Sequence, residues 1–252
     1  MKVIDCFTFY NELDMLKFRL KELNECIDYF VLVECVKSFQ YNDKELFFKN
    51  NKDKFSEYLH KIIHIIVKYN IPTTGNPWDV ENYQRNCINI GINKLNLNND
   101  DIIIISDLDE IPDSNTINNI KNSNLNGIYR LEQDFYYYNL NCKYSNKWTK
   151  ASIFNYGNYN GQPQYYRDNY NTPIIKNGGW HFSYFGDINF IKNKISNFSH
   201  SEFNNDYILN DDRIKEQIKN NKDLFERKEC MFEFIDLKNN KYLPNNYKDL
   251  LN

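Results

Sequence analysis

The sequence predicts an α/β fold with a central, mostly parallel sheet. Three observations predict it. Strand-like and helix-like stretches alternate through residues 1–112, the pattern of βαβ units. The run Ile102-Ile103-Ile104-Ile105 is β-branched and apolar on both faces, as a strand buried on both sides must be. It ends in Ser106-Asp107-Leu108-Asp109-Glu110-Ile111-Pro112, acidic at the carboxyl edge where open α/β sheets receive their ligands.

Taken in order, residues 2–9 read as the first strand. Asn11 and Glu12 open a helix whose Leu13, Leu16, Leu20 and Leu23 share one face. Ile27 to Val33 is a second strand ending at Glu34. A short helix around Phe55 to His60 leads to a third strand, Ile62 to Val67, in which His64 is a satisfied sheet histidine. Pro72 to Pro77 is a loop. Trp78 to Leu95 is a helix on which Glu81 and Arg85 are spaced to pair, unless Arg85 faces an anionic ligand.

The second half changes character. Asn115 to Lys121 is a short helix; Gly127 to Asn139 and Trp148 to Tyr156 are strands. Gly157 to Pro173, rich in Tyr, Asn and Gly, is a loop. Gly178-Gly179 precedes an aromatic strand through Phe185, since glycines there permit close backbone approach. Helices follow at 187–197, 211–220 and after Leu224, and the polar tail beyond 240 carries no assignable pattern.

Composition narrows the function. The 252 residues suffice for one large domain, and 41% hydrophobic content supplies its core. Net charge is -3 and no basic stripe is interleaved with aromatics, so nucleic acid is not an expected partner. No stretch of eighteen apolar residues occurs and the chain starts directly on a strand pattern. The expectation is a soluble, cytoplasmic protein without a membrane span. Six cysteines lack Cys-x-x-Cys spacing and read as buried thiols in a reducing compartment. The sequon at Asn197-Phe198-Ser199 stands in an Asn-rich chain where chance accounts for it equally well. Glycine-rich phosphate loops are missing: there is neither G-x-G-x-x-G nor a Walker pattern.

The acidic block is the strongest chemical signal. In extended geometry Asp107 and Asp109 point to the same side. Two carboxylates at the edge of a dry core repel each other, and a divalent cation removes the repulsion while suiting hard oxygen ligands. A solvated turn after a core strand is the plainer alternative.

Several stretches, in this order, resemble glycosyltransferase family 17. They are Asn11-Glu12-Leu13-Asp14, Asp28-Tyr29-Phe30-Val31 running to Glu34, Gln84-Arg85-Asn86, Ser106 to Pro112, and Gly179-Trp180-His181-Phe182-Ser183. The resemblance covers about residues 3–205. It implies a GT-A-like, Rossmann-type domain over 1–252, with a nucleotide-sugar-binding half at 1–112 and an acceptor-binding half at 113–252. It further implies inverting, metal-dependent transfer of GlcNAc from UDP-GlcNAc to a glycan or glycoprotein acceptor.

Under that resemblance, Asp107 and Asp109 hold Mn²⁺ or Mg²⁺ across the diphosphate, with His181 or His200 as a further ligand. Phe9, Asn11, Glu34, Arg85 and Asp107 bind the donor. Glu132, Asp134 and Glu202 are the candidate bases for the acceptor hydroxyl. Trp148, Trp180 and Tyr184 are candidate stacking platforms for the acceptor sugar, with core packing as the alternative for each. Two other functions compete. One is a phosphohydrolase using the Asp-x-Asp as nucleophile and acid, a pattern resembling haloacid dehalogenases. The other is a non-catalytic glycan-binding module on the same fold.

Overall fold

The computed structural model describes residues 1–123 and 125–251. Its N-terminal half is a run of βα units. Strand β1 (Val3–Phe9) leads to α1 (Leu13–Leu23), β2 (Tyr29–Cys35), the single turn α2 (Phe47–Asn50) and β3 (Ile62–Val67). Helices α3 (Pro77–Asn86) and α4 (Ile88–Ile92) then precede β4 (Ile102–Ile105). The helix expected from Trp78 to Leu95 is therefore two helices meeting at Cys87. The Asn76 side chain caps α3 and Pro77 starts it, a favoured N-terminal pairing.

Four strands in the order β4-β1-β2-β3 are parallel. Their side chains alternate between two apolar layers. Ile102 and Ile104 pack with Phe7, Phe30, Leu32 and α1 on one face. Ile103 and Ile105 pack with Cys6, Val31, Val33 and α4 on the other. All four isoleucines are fully buried, which accounts for a run without polar alternation.

Beyond β4 the sheet becomes mixed. The elements are β5 (Glu110–Pro112), α5 (Ser114–Asn122), β6 (Ile128–Tyr137), β7 (Cys142–Tyr144) and β8 (Ser152–Asn155). They continue with α6 (Pro163–Asp168), β9 (Ile174–Ser183), α7 (Ile188–Asn197), α8 (Asp211–Lys219) and β10 (Phe232–Phe234). One sheet runs β10-β7-β6-β8-β4-β1-β2-β3, and β9 lies parallel to β6 and antiparallel to β5. Gly179 has φ +130°, and a Cβ there would stand 2.1 Å from the Ile111 carbonyl oxygen. Only glycine lets β9 approach β5 this closely.

Three expectations change here. The short helix expected around Phe55 to His60 is a 3₁₀ turn at Lys52–Phe55 followed by turns. The loop expected at 157–173 contains α6, started by Pro163 at its first turn. Among the described residues no α-helix follows Leu224; turns, the short β10 and two single 3₁₀ turns stand there instead. The tail without a sequence pattern packs under α1. Glu22, 5% exposed, accepts from the backbone N–H groups of Asn245 and Asn246 and from the Asn246 amide. Among the described residues no helix is long and apolar enough to cross a membrane.

Candidate active site

The segment after β4 is a turn rather than an extended strand end: the Glu110 N–H donates to the Asp107 carbonyl at 3.0 Å. Leu108 is buried in the turn, and all three of Asp107, Leu108 and Asp109 line the cleft. Arg19 of α1 shapes this turn from below. Fully buried, it pairs with Asp5 through two N–H groups (2.8 and 2.6 Å) and donates to Ser106 Oγ at 2.6 Å. Its third nitrogen donates to the carbonyls of Asp107, Leu108 and Glu110 at 2.8, 3.0 and 2.9 Å. One guanidinium thereby fixes three successive features of the loop, which a flexible ammonium cannot do.

Glu110 braces the turn from within. Its buried carboxylate accepts from the Asp107 N–H (2.9 Å), from Trp148 Nε1 (2.6 Å) and from Arg167. Asp107 accepts from Arg85 at 2.9 Å on one oxygen and from Arg167 at 2.6 Å on the other. Burial pushes the Asp107 carboxyl up, but Arg167 and Arg85 outweigh it, so the net direction is down.

Asp109 has different partners. Lys194 of α7 donates to Oδ2 at 2.7 Å, and His181 Nε2 lies 3.5 Å from Oδ1. Burial raises its pKa, and the Lys194 and His181 charges more than reverse this, holding the carboxyl well below the usual range. His181 is clamped between Phe135, stacked at 4.2 Å, and Trp148 at 4.6 Å. Its buried Nδ1 has no partner among the described residues.

These groups line a cleft of about 780 Å³ at the carboxyl edge of the parallel strands. Phe9, Arg85, Trp148 and Tyr184 line it too, and so does His200. His200 is not beside the Asp-x-Asp turn side chains; it pairs with Glu202 at 2.8 Å and packs edge-on against Trp78.

The remaining expected site residues are outside the cleft lining, several of them for reasons of strand parity. In β9, His181 and Ser183 face the cleft, so Trp180 and Phe182 face the core. Trp180 is 2% exposed, packs on Tyr242 at 4.8 Å and donates to its carbonyl. It is not an acceptor platform. In β6, Phe135 and Tyr137 line the cleft, which turns Asp134 away. Asp134 is locked between Lys143 (2.7 Å) and Lys147, and Glu132, at a register shift in β6, is likewise outside the cleft lining. In β2, Glu34 lies on the parity of Phe30 and Leu32 and is fully buried. It accepts from the Phe48 N–H at 2.8 Å and pairs with His64 at 3.0 Å, so it anchors α2 and satisfies the sheet histidine. Asn11 bonds Asn193 across to α7, and Glu202 is held by His200 on the surface.

Among the cleft residues that the sequence did not single out are Arg167 and Asp168 on α6, and Lys194 on α7. Arg167 lies in the unrecognised helix, and Lys194 is one of several lysines on α7 with no local pattern to single it out. Both oxygens of Asp107 accept from guanidinium groups, so the carboxylate that a phosphohydrolase would use as nucleophile is charge-paired rather than free.

A divalent cation can be tested against these donors. Asp109 Oδ1 and His181 Nε2 converge, a hard oxygen and an imidazole nitrogen, which suits Mn²⁺ or Mg²⁺. Among the described residues no group of three or more His, Cys, Asp and Glu side chains gathers at one point. Such an ion would thus have two protein ligands here, and ions of this kind commonly complete their shell with phosphate oxygens and water.

A β-1,4-mannosyl-glycoprotein 4-β-N-acetylglucosaminyltransferase of Rattus norvegicus is 30% identical over 117 residues. That match covers 44% of this chain and 22% of the rat protein. Two solved structures are similar at 10% identity and a TM-score of 0.41. They are 4-diphosphocytidyl-2C-methyl-D-erythritol synthase from Anaerococcus prevotii (75% of this chain, 93% of that chain) and HddC from Yersinia pseudotuberculosis (73% and 90%). The family model for glycosyltransferase family 17 matches residues 1–247, and the chain belongs to that family.

Proposed function

We propose that the cleft binds UDP-GlcNAc with Mn²⁺ or Mg²⁺ and transfers the sugar, with inversion, to a hydroxyl of a glycan. Family membership and the activity named for the rat relative support a GlcNAc transferase. The observation that carries the donor reading is a charge count. The ion-pair network around the turn joins five carboxylates, those of Glu12, Glu81, Asp107, Asp109 and Glu110. Against them stand three permanent cations, Arg85, Arg167 and Lys194. Leaving the His181 imidazole out of the count, the network holds two more carboxylates than permanent cations, a difference that one divalent cation would fill.

Asp109 and His181 would hold the cation, which would act as Lewis acid and template on the diphosphate. The chain's own groups do the rest. Arg85 and Arg167 fix Asp107, and Arg19 fixes the backbone that carries it. Lys194 has N–H donors beyond the one on Asp109, and these suit a phosphoryl oxygen. The cleft as a whole carries seven Lys and Arg against five Asp and Glu among the described residues, in a protein of net charge -3. That surplus favours a polyanionic donor. Phe9 and Tyr10 at the end of β1 line the cleft and would contact the uridine, and Trp148 and Tyr184 add aromatic surface to the same lining.

Calorimetric titration of UDP in Mn²⁺ and in EDTA tests the reading. The expected result is binding in Mn²⁺ that weakens at least tenfold in EDTA or in Asp109→Ala. UDP binding no tighter than CMP or GMP would refute the donor assignment; equal affinity in EDTA would refute the cation.

A further inference from the structure

We infer that Asp168 is the general base of the transfer, an inference that rests on the function proposed above. A base must open on the cleft, and its carboxylate must not already be matched by a protein cation. Five carboxylates line the cleft. Four have a protein cation within 4 Å: Glu12 lies 3.8 Å from Lys194, Glu81 pairs with Arg85, Asp107 with both arginines, and Asp109 with Lys194. Asp168 differs. It is exposed, and among the described residues no Lys, Arg or His nitrogen lies within 4 Å of it.

Its carboxylate is nevertheless oriented. The Gln164 amide nitrogen donates to both Asp168 oxygens, at 3.1 and 3.0 Å. The same amide's oxygen accepts from Arg85, whose other nitrogen holds Asp107. A guanidinium only donates and a carboxylate only accepts, so this network fixes which way the amide faces. A neutral amide positions the carboxylate without quenching it. Asp168 also follows Arg167 directly in the chain, and Arg167 grips Asp107 and Glu110. The base is thereby tied to the donor turn from two directions.

In the step, the acceptor O–H bond breaks and its proton passes to the Asp168 carboxylate. The oxygen's electron pair forms the new bond to the anomeric carbon. The bond from that carbon to the phosphoryl oxygen breaks, and its pair leaves on UDP. Inversion places the attacking oxygen opposite the diphosphate, so base and cation cluster act from two sides of the sugar.

The test uses nucleophiles that need no knowledge of the natural acceptor. UDP release from UDP-GlcNAc is measured for the full chain and for Asp168→Asn, with water and with azide. Water must lose a proton and azide need not. Water-driven release should fall at least about 100-fold in Asp168→Asn. Azide should restore release to within about threefold of the unmodified protein, and UDP affinity by calorimetry should be unchanged. Unchanged water-driven release overturns the assignment, as does a loss that azide fails to restore while UDP still binds. An unmodified protein that binds UDP yet releases none to water, azide or a biantennary glycan also overturns it, and leaves the nucleotide site standing. One that binds no UDP overturns the function beneath it.

Discussion

Replacing Arg19 by Met tests the idea that one buried guanidinium shapes the Asp-x-Asp turn. Methionine is apolar and of similar length, so packing is approximately kept. What disappears is the partner of Asp5, which is itself fully buried. Breaking one side of a buried pair costs about 3–5 kcal/mol, because the other charge stays buried without compensation. Three turn carbonyls also lose their donor. Each buried carbonyl left unpaired costs about 1–3 kcal/mol. The terms share one network and do not add, so a loss of at least about 4 kcal/mol is the conservative figure. Native domains have about 5–15 kcal/mol in all. For a chain of this size the change corresponds to a melting temperature lowered by roughly 8–16 °C. Urea unfolding of both proteins measures it. A second variant separates charge from shape: Asp5→Leu combined with Arg19→Met removes both charges and should recover part of the loss. A single-variant loss under about 1 kcal/mol, with unchanged urea slope, would refute the reasoning.

The acid limb of stability should follow Asp109. Its carboxyl is depressed in the folded chain, so its contribution is present above the ordinary Asp value of about 3.9 and is lost as pH falls through the folded value. Unfolding at a series of pH values below about 4 should show a slope that flattens in Asp109→Asn; an identical slope would contradict the assignment. Trp180→Ala should cost about 3–5 kcal/mol by chemical denaturation while leaving UDP affinity unchanged, since the side chain fills core. A Trp180→Ala protein of native stability would place that residue elsewhere. Gly179→Ala should destabilise by more than about 1 kcal/mol in the same assay, because the new methyl meets backbone on β5 rather than a movable side chain. Lys194→Met should weaken UDP binding in Mn²⁺ by at least about tenfold in calorimetry, and unaltered affinity would remove Lys194 from the donor site.

The parallel half of the fold was legible because its signals are local. Four isoleucines announce a doubly buried strand, and leucine spacing announces α1. The acidic turn was legible for the same reason, although its side chains converge through a hydrogen-bonded turn and not through strand alternation. Strand alternation would have corrected two expectations in advance. Trp180 and His181 are adjacent in β9 and cannot both face the cleft; Asp134 and Phe135 are adjacent in β6 and obey the same rule. The cations were not legible. Arg19, Arg167 and Lys194 reach the turn from 88, 60 and 85 residues away, and nothing beside them in the chain marks them. Glu34 ends its strand at the expected edge, yet it is spent on the N–H groups of α2, a contact that only tertiary structure reveals.

The seat of Glu22 has a consequence for how the chain is made. Its carboxylate lies in the first helix, and its partners are Asn245 and Asn246, more than two hundred residues later. Trp180 likewise waits for Tyr242 to supply its indole acceptor. A ribosome delivers the helix long before these partners. Domains ordinarily begin folding from the N-terminus as they emerge, and contacts between distant segments slow the final step. Here the βα half can collapse early, but its underside stays open to water until residues 242–246 have emerged. The late arrival of that segment is thus the event that closes this fold.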